Sequence, residues 1–420
     1  MKNTFLNMMK SRFFIVFLIT FVNGLSFTML FPVLPFIIKI YEAPEVVLGI
    51  LLGTFSLFQF LAAPILGSLS DKYGRKPILI ITQAGTMLSW VVLGVSYLLP
   101  EYQFLSFISL PILVIFLSRV FDGITGGNNS VAQAIIADLS TPSERTKVFG
   151  MNGAIMGLAI VVGPSIGAFS MGTSYGYLGT AIAGTIISFI TLLIMIFFLQ
   201  ESIAEEDKKS KIKISLKNTN LFAQISKWGK FKNIRYTIFM KICMFSAFVG
   251  YTSISALYLI DVFRFDAINV GYYMTFTGMF LIFHQTVSIR YFVKKFRDRK
   301  SLYIGMIFMG LGFLAMASTK NIILFTVFYF FAVLGISLSW STLSSLFSRS
   351  VDKKNQGEIM GMVAGLESFI SVGIPILATL IYTHIDFSIY FLLSILPLVG
   401  VLISSLVYKN IHFETVKEAS

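Results

Sequence analysis

The ionisable side chains that stand inside long apolar stretches are few, and they are the residues able to do chemistry. Arg119 and Asp122 are three residues apart, which on a helix puts both on one face. Gly126, Asn129, Ser130 and Gln133 continue the same stripe. Such a pair either satisfies its own two charges or takes part in proton movement. Glu367 has Ser368 and Ser371 beside it and no charge within four residues. A buried carboxylate without a counter-charge is readily protonated near neutral pH, as a proton-coupling site requires; the alternative is a neutral Glu bonded to a neighbouring helix. His284 stands among Phe and Gln and either relays protons or serves as a structural hydrogen-bonder. Lys241 lies one turn into its apolar stretch and is expected to snorkel to the polar edge. Asp261 closes that stretch and reads as interfacial.

These residues must be positioned by elements that are almost wholly apolar. Of 420 residues, 56 % are hydrophobic and 13 % charged, against roughly 25 % charged in a soluble domain. Mean hydropathy is +0.82. A bilayer-crossing helix needs about 20 apolar residues, so a dozen helices would use nearly the whole apolar supply. Continuous runs rather than alternating segments of about 10 residues exclude a transmembrane barrel. Runs fall at about 13–38, 47–70, 78–99, 106–130, 148–171 and 177–200, and again at 236–260, 268–292, 302–319, 322–348, 358–383 and 388–408. They are termed spans 1–12. The expected fold is therefore all-α and polytopic: a six-span bundle over 1–200, a linker over 201–235 and a second six-span bundle over 236–420. Span 1 runs too long for a signal peptide and no small-residue cleavage site follows it.

Lys39, Arg264 and Lys320 fall on one side of this layout, and nearly all other basic residues fall on the opposite side. The positive-inside rule then places both termini in the cytoplasm. This bias also explains a net charge of +13 without invoking nucleic acid. The linker carries Lys208, Lys209, Lys211, Lys213, Lys217, Lys227, Lys230 and Lys232, with Trp228 and Phe231 interleaved. It reads either as a solvated tether or as a short helix lying on the anionic inner leaflet. One cysteine, Cys243, excludes an internal disulfide and a Cys-based metal cluster.

The turn after span 2 has a spacing with mechanical meaning. Gly67 lets a neighbouring helix come close; Asp71 ends the helix; Gly74 permits the turn; Arg75 and Lys76 supply charge; Pro77 suits the first turn of the next helix. Span 1 ends in Pro32-Val33-Leu34-Pro35, span 4 contains Arg119 followed by Gly123 and Gly126-Gly127, and span 5 contains Gly163-Pro164-Ser-Ile-Gly167. Span 10 is rich in hydroxyls around Trp340, which either line a cavity or allow close helix packing.

Together these motifs resemble the major facilitator superfamily, and within it the drug–proton antiporters, over nearly the whole chain. Ile136-Ala137-Asp138 with Glu144-Arg145, and Ser348-Arg349 with Gln356-Gly357, resemble loops of the tetracycline-resistance exporters. The resemblance implies two six-helix bundles that rock about a central cavity, a gating role for Gly67, Asp71, Gly74, Arg75 and Lys76, an antiporter motif at Gly163, Pro164 and Gly167, and proton coupling at Arg119. Asn23, Ser89 and Gly310 stand where the tetracycline exporters carry acids, so the resemblance does not extend to a magnesium–tetracycline site. Asn23, Gln133, His284 and Trp340 are the expected cavity lining.

The function expected is secondary transport by alternating access: proton-coupled efflux of a small amphipathic compound, cationic or zwitterionic, by a monomer in the cytoplasmic membrane. A metabolite or siderophore transporter, an uptake symporter and a membrane receptor or scaffold are the alternatives. No nucleophile–base pair, metal-ligand spacing or phosphate loop argues for an enzyme or a cofactor.

Overall fold

The computed structural model of the protein describes residues 13–105, 108–141, 144–203, 206, 208, 221–296, 298–352, 355–385 and 389–407. The first half contains α1 (Phe14–Ile40), α2 (Glu45–Tyr73), α3 (Arg75–Leu98), a short antiparallel ribbon of β1 (Gln103–Leu105) and β2 (Ile108–Ser109), α4 (Leu110–Gly126), α5 (Asn129–Leu139), α6 (Arg145–Met171) and α7 (Tyr177–Phe198). The second contains α8 (Leu221–Trp228), α9 (Lys232–Phe263), α10 (Ala267–Phe283), a π turn at His284–Ser288, α11 (Ile289–Lys295), α12 (Asp298–Ala317), α13 (Ile322–Arg349), α14 (Gln356–Ile385) and α15 (Ile389–Val407). Eleven of the described helical spans, α4 and α5 counting as one, are long and apolar enough to cross a membrane. The twelfth is α10 continued through the π turn into α11. Neither piece alone reaches the roughly 20 residues a bilayer requires, and together they do.

The fold is all-α, with twelve spans in two six-helix bundles, as expected. The chain divides into two compact units. One takes Met1–Val47, Thr54–Ile214 and Asp266–Thr275, and the other Leu48–Gly53, Ser215–Phe265 and Phe276–Ser420.

Both units have hydrophobic cores, yet they also bury many polar side chains and leave large apolar ones outside, unlike a soluble domain. Phe197, Phe198 and Ile323 are largely exposed, whereas Thr28, Ser118, Asn128, Ser188 and Thr379 are buried. Lipid tails solvate the outer face, so tight packing and internal hydrogen bonds hold the helices together. In the first unit α1 packs along α6, and the crossing is built from small residues. A Cβ on Gly163 would strike Thr28, and one on Gly167 the Met29 carbonyl. Thr28 uses the closeness to donate from Oγ1 to the Ala159 carbonyl at 3.1 Å. The second unit repeats the device where α12 meets α13. Gly305 faces Ser339, and Gly335 faces the Met309 backbone. Ser339 therefore supports the packing reading of the span 10 hydroxyls.

Three sequence expectations are corrected here. Span 4 does not end near 130; after a turn at Gly127-Asn128 the chain continues as α5 to Leu139. Ile136-Ala137-Asp138, read as loop, is thus helical. A single turn of Gly and Asn interrupts the ladder without redirecting the chain. The linker is also partly structured. α8 packs on α14, and Trp228 is buried with its Nε1 donating to Glu358 at 3.1 Å. Its ring is therefore inside the second unit and not on a membrane surface. Lys209, Lys211, Lys213 and Lys217 lie outside the described residues. Finally, α9 starts at Lys232, inside the interval assigned to the linker.

Candidate functional site

In the first unit the span 2–3 turn is a charge cluster built around Arg75. α3 starts at Arg75, so its first N–H groups have no intrahelical partner. Glu201 supplies one: its two carboxylate oxygens accept from the backbone N–H of Arg75 at 2.9 Å and of Lys76 at 3.1 Å. Gly74 stands at φ 102°, and a Cβ there would overlap the Glu201 carboxylate. This is a turn that glycine alone suits. The Arg75 guanidinium, nearly buried, donates to Asp71 at 2.5 Å, to Ser70 at 2.7 Å and to Asp138 at 3.1 Å. Ser202 donates to the same Asp138 oxygen at 3.0 Å. These partners all belong to the first unit. Gly67 faces Ser130 at van der Waals distance. The spacing of Asp71, Gly74 and Arg75 was legible in the sequence. Asp138 and Glu201 were not recognised, because their closeness to Arg75 comes from α5 and from the end of α7.

On α4, Arg119 and Asp122 meet as the i, i+3 spacing demands, with Nη1 3.0 Å from Oδ2 and both side chains 3 % exposed. Arg119 also donates to Ser118, and Ser89 donates to Asp122 at 3.4 Å. Arg119 Nε and Asn128 Nδ2 are buried without a hydrogen-bond partner. A buried unpaired donor costs free energy. Asp122, the partner of Arg119, borders a cavity of about 130 Å³ that is also lined by Asn23, Gln59, Thr86, Asn129 and neighbouring apolar residues. Asn23 donates to Asn128 at 2.9 Å. Asn23 lines this cavity, whereas Gln133 is an exposed residue of α5 and not part of it.

The second unit overturns two expectations at once. Glu367 on α14 has a counter-charge: its carboxylate forms an ion pair with Lys241 of α9. Lys241 does not snorkel. It is 2 % exposed, and its ammonium lies 4.3 Å from the Trp340 ring centre and 4.9 Å from that of Phe245. Cation–π attraction and one carboxylate replace its hydration. Phe248 packs edge-on against Trp340 at 5.6 Å and extends the aromatic wall. The pair was invisible in the sequence because its members are 126 positions apart on different helices. Phe245, one turn after Lys241, was the available signal.

His284 is closed off. Its Nε2 is 3.1 Å from the Phe330 carbonyl, which can only accept, so Nε2 donates; Nδ1 then accepts from Ser288 at 2.8 Å. With both nitrogens occupied locally, it supports the π turn and does not line a cavity. Asp261 accepts from Tyr382 at 3.1 Å. Among the described residues no three His, Cys, Asp or Glu side chains gather as a metal site would require.

Comparison with known proteins agrees with this architecture. The sequence matches the Major Facilitator Superfamily over residues 16–371 and 287–419. It is 28 % identical over 343 residues to the class C tetracycline resistance protein of Escherichia coli, covering 80 % of this chain and 79 % of that one. It is also 28 % identical over 378 residues to the class D protein of Salmonella ordonez, covering 88 % and 89 %. Among solved structures it resembles a D-xylose–proton symporter (TM-score 0.74, 16 % identity, 97 % of this chain and 100 % of that one). It also resembles the human organic anion transporter MFSD10 (TM-score 0.65, 20 % identity, 93 % and 98 %). With twelve spans, the Asp71–Arg75 turn and the small-residue α1–α6 crossing in place, the chain belongs to the major facilitator superfamily of multi-pass membrane transporters.

Proposed function

We propose that this transporter exports a small amphipathic compound, cationic or zwitterionic, in exchange for protons. It works as a monomer in the cytoplasmic membrane with both termini inside. The observation that carries the reading is the Arg119–Asp122 pair. Two charges are buried in a span, and one of them borders a cavity. Intramembrane charge is costly and is retained where ions or substrates pass. The similarity to tetracycline resistance proteins supports the export direction. The halves 1–200 and 236–420 would rock about the linker 201–235, with Asp71 and Arg75 as the gate and Gly163, Pro164 and Gly167 as the pivot against α1.

The test is uptake of a compound panel into inverted vesicles, with and without an imposed pH gradient. Gradient-dependent, ATP-independent accumulation is expected. Asp122→Asn should bind substrate yet lose dependence on the gradient. Asp71→Asn should lose transport while its yield and melting temperature hold. Accumulation indifferent to the gradient in the unaltered protein would remove proton exchange from the reading.

A further inference from the structure

We propose that a cleft between α10 and α13 holds one acyl chain of an outer-leaflet phospholipid, with the lipid phosphate at the level of Lys320. This lipid site goes beyond the exchange reading above and takes from it only the side of the membrane on which Lys320 stands.

The cleft follows from how α10 and α13 meet. At the π turn Nε2 of His284 donates to the Phe330 carbonyl at 3.1 Å. Phe280 stands edge-on to Phe330 with 5.1 Å between ring centres. From this contact toward the start of α13, a cleft of about 470 Å³ opens between the two helices. That volume falls within the range of about 300–1,000 Å³ usual for ligand clefts. Phe276 and Phe280, one helical turn apart, form the α10 wall. On α13 the exposed residues Ile323, Val327 and Phe331 follow one another at four-residue spacing and form a continuous stripe. All of these residues belong to the second unit.

The chemistry of the lining selects a hydrocarbon chain. Its polar member is Thr326, whose Oγ1 donates within its own helix to the Ile322 carbonyl at 2.7 Å. A drug-like ligand is oriented by a few polar groups placed in its pocket, and the lining residues otherwise are Phe, Ile and Val. The length also matches a chain. From Ile322 to Phe331 the cleft covers nine helical steps, about 14 Å, against about 15 Å for half of a bilayer's hydrocarbon core. Its inner end is closed by the His284–Phe330 contact, near the depth at which a lipid tail ends. Its outer end carries the complementary charge. Ile322 opens α13, and Lys320, exposed, precedes it by two positions. Lys320 is one of three basic residues assigned to the outer side, with Lys39 and Arg264. A cation at the polar edge above an apolar cleft fits a phosphodiester with a chain below it, and the positive end of the α13 dipole adds to that attraction.

The test uses the full-length protein in dodecyl maltoside micelles and a phosphatidylglycerol with a diazirine midway along one chain. After irradiation, peptide mass spectrometry maps the labelled residues. Labelling should concentrate on Phe276, Phe280, Val327 and Phe330, well above that of Leu311, an exposed apolar residue of α12. Val327→Trp, which fills the cleft from an exposed position, should remove the cleft labelling and leave Leu311 unchanged. Ile323→Trp at the rim serves if that variant does not fold. Lys320→Gln should weaken capture about fivefold, the effect of one basic residue near a lipid surface. Equal labelling of Leu311 and the cleft would mean a lipid annulus only and overturn the proposal. Cleft labelling that survives both tryptophan variants would do the same. Equal capture of the same diazirine chain as a phosphate-free alcohol would assign the cleft to apolar compounds in general and refute a phospholipid. A photo-crosslinked dimer lost in Val327→Trp would assign it to a second copy of the chain, with the same consequence. Since capture in micelles involves no gradient, it can fail while proton-driven export stands, and the reverse.

Discussion

Among the described residues each unit carries an intramembrane ion pair, and the two pairs are built on opposite principles. Arg119 and Asp122 share one helix and are sealed, 3 % exposed on both sides. Lys241 and Glu367 join two helices, and only the cation is sealed. A pair spaced i, i+3 on one helix is held together by the helix itself, whatever the neighbouring helices do. A pair between helices is set by the packing of the two helices that carry it. The first arrangement depends on one helix alone. The second depends on how α9 and α14 pack.

The largest effect that would break this comparison is loss of one sealed partner. Asp122→Leu leaves the Arg119 charge buried alone and should cost about 3–5 kcal/mol, seen as a lowered melting temperature of the purified protein. Glu367→Leu should cost clearly less, because its carboxylate is 28 % exposed and the rings of Trp340 and Phe245 still face the Lys241 ammonium. Equal losses at both positions would erase the distinction. Charge reversal comes next. The double variant Arg119→Asp with Asp122→Arg keeps an i, i+3 pair and should recover a substantial part of the stability lost in either single variant. Lys241→Glu with Glu367→Lys should recover little, since a carboxylate placed against the faces of Trp340 and Phe245 meets the negative side of their quadrupoles. Melting temperatures of the single and double variants distinguish the two results.

Smaller effects sharpen the picture. Gly74→Ala forces a side chain into a φ of 102° and against Glu201, at a cost of about 1–3 kcal/mol, read in the melting temperature of the unaltered protein against the variant. Trp340→Leu removes one ring face from Lys241 and should cost about 0.5–2 kcal/mol. Its signature is a lowered melting temperature that is absent when the same change is made in Lys241→Met.

How far the sequence reached depends on how local each feature is. The helix periodicity that paired Arg119 with Asp122 needed only four consecutive residues, and the geometry agrees. The Asp71-Lys-Tyr-Gly74-Arg75 turn was readable for the same reason, as were the small residues Gly163 and Gly167 that let α6 approach α1. Glu367 failed as an unpaired acid because the search for a neutralising charge went along one helix. Its partner comes from another, and no spacing rule links position 241 to position 367. Lys241 failed because its place near a helix start matched a snorkelling lysine. Only the rings of Trp340 and Phe245 and the carboxylate of Glu367 make burial of its charge tolerable. His284 was half legible: a lone His among apolar residues pointed to structure, but the π turn that brings Ser288 to its Nδ1 was not foreseen.

What the sequence determined by itself is the solvent of each segment. Twelve apolar runs, too long for a soluble core and flanked by basic residues on one side, admit a bundle of membrane helices, because backbone polar groups in lipid must be satisfied within each segment. Short-range motifs then placed the turn at Gly74 and the ion pair on α4. Tertiary structure alone decided which charges face each other across helices: Asp138 and Glu201 with Arg75, Glu358 with Trp228, and Lys241 with Glu367. Coulombic and hydrogen-bond energies fall off over a few ångströms, and distance between helices is fixed by packing at small residues such as Gly24, Gly163 and Gly305, not by position along the chain.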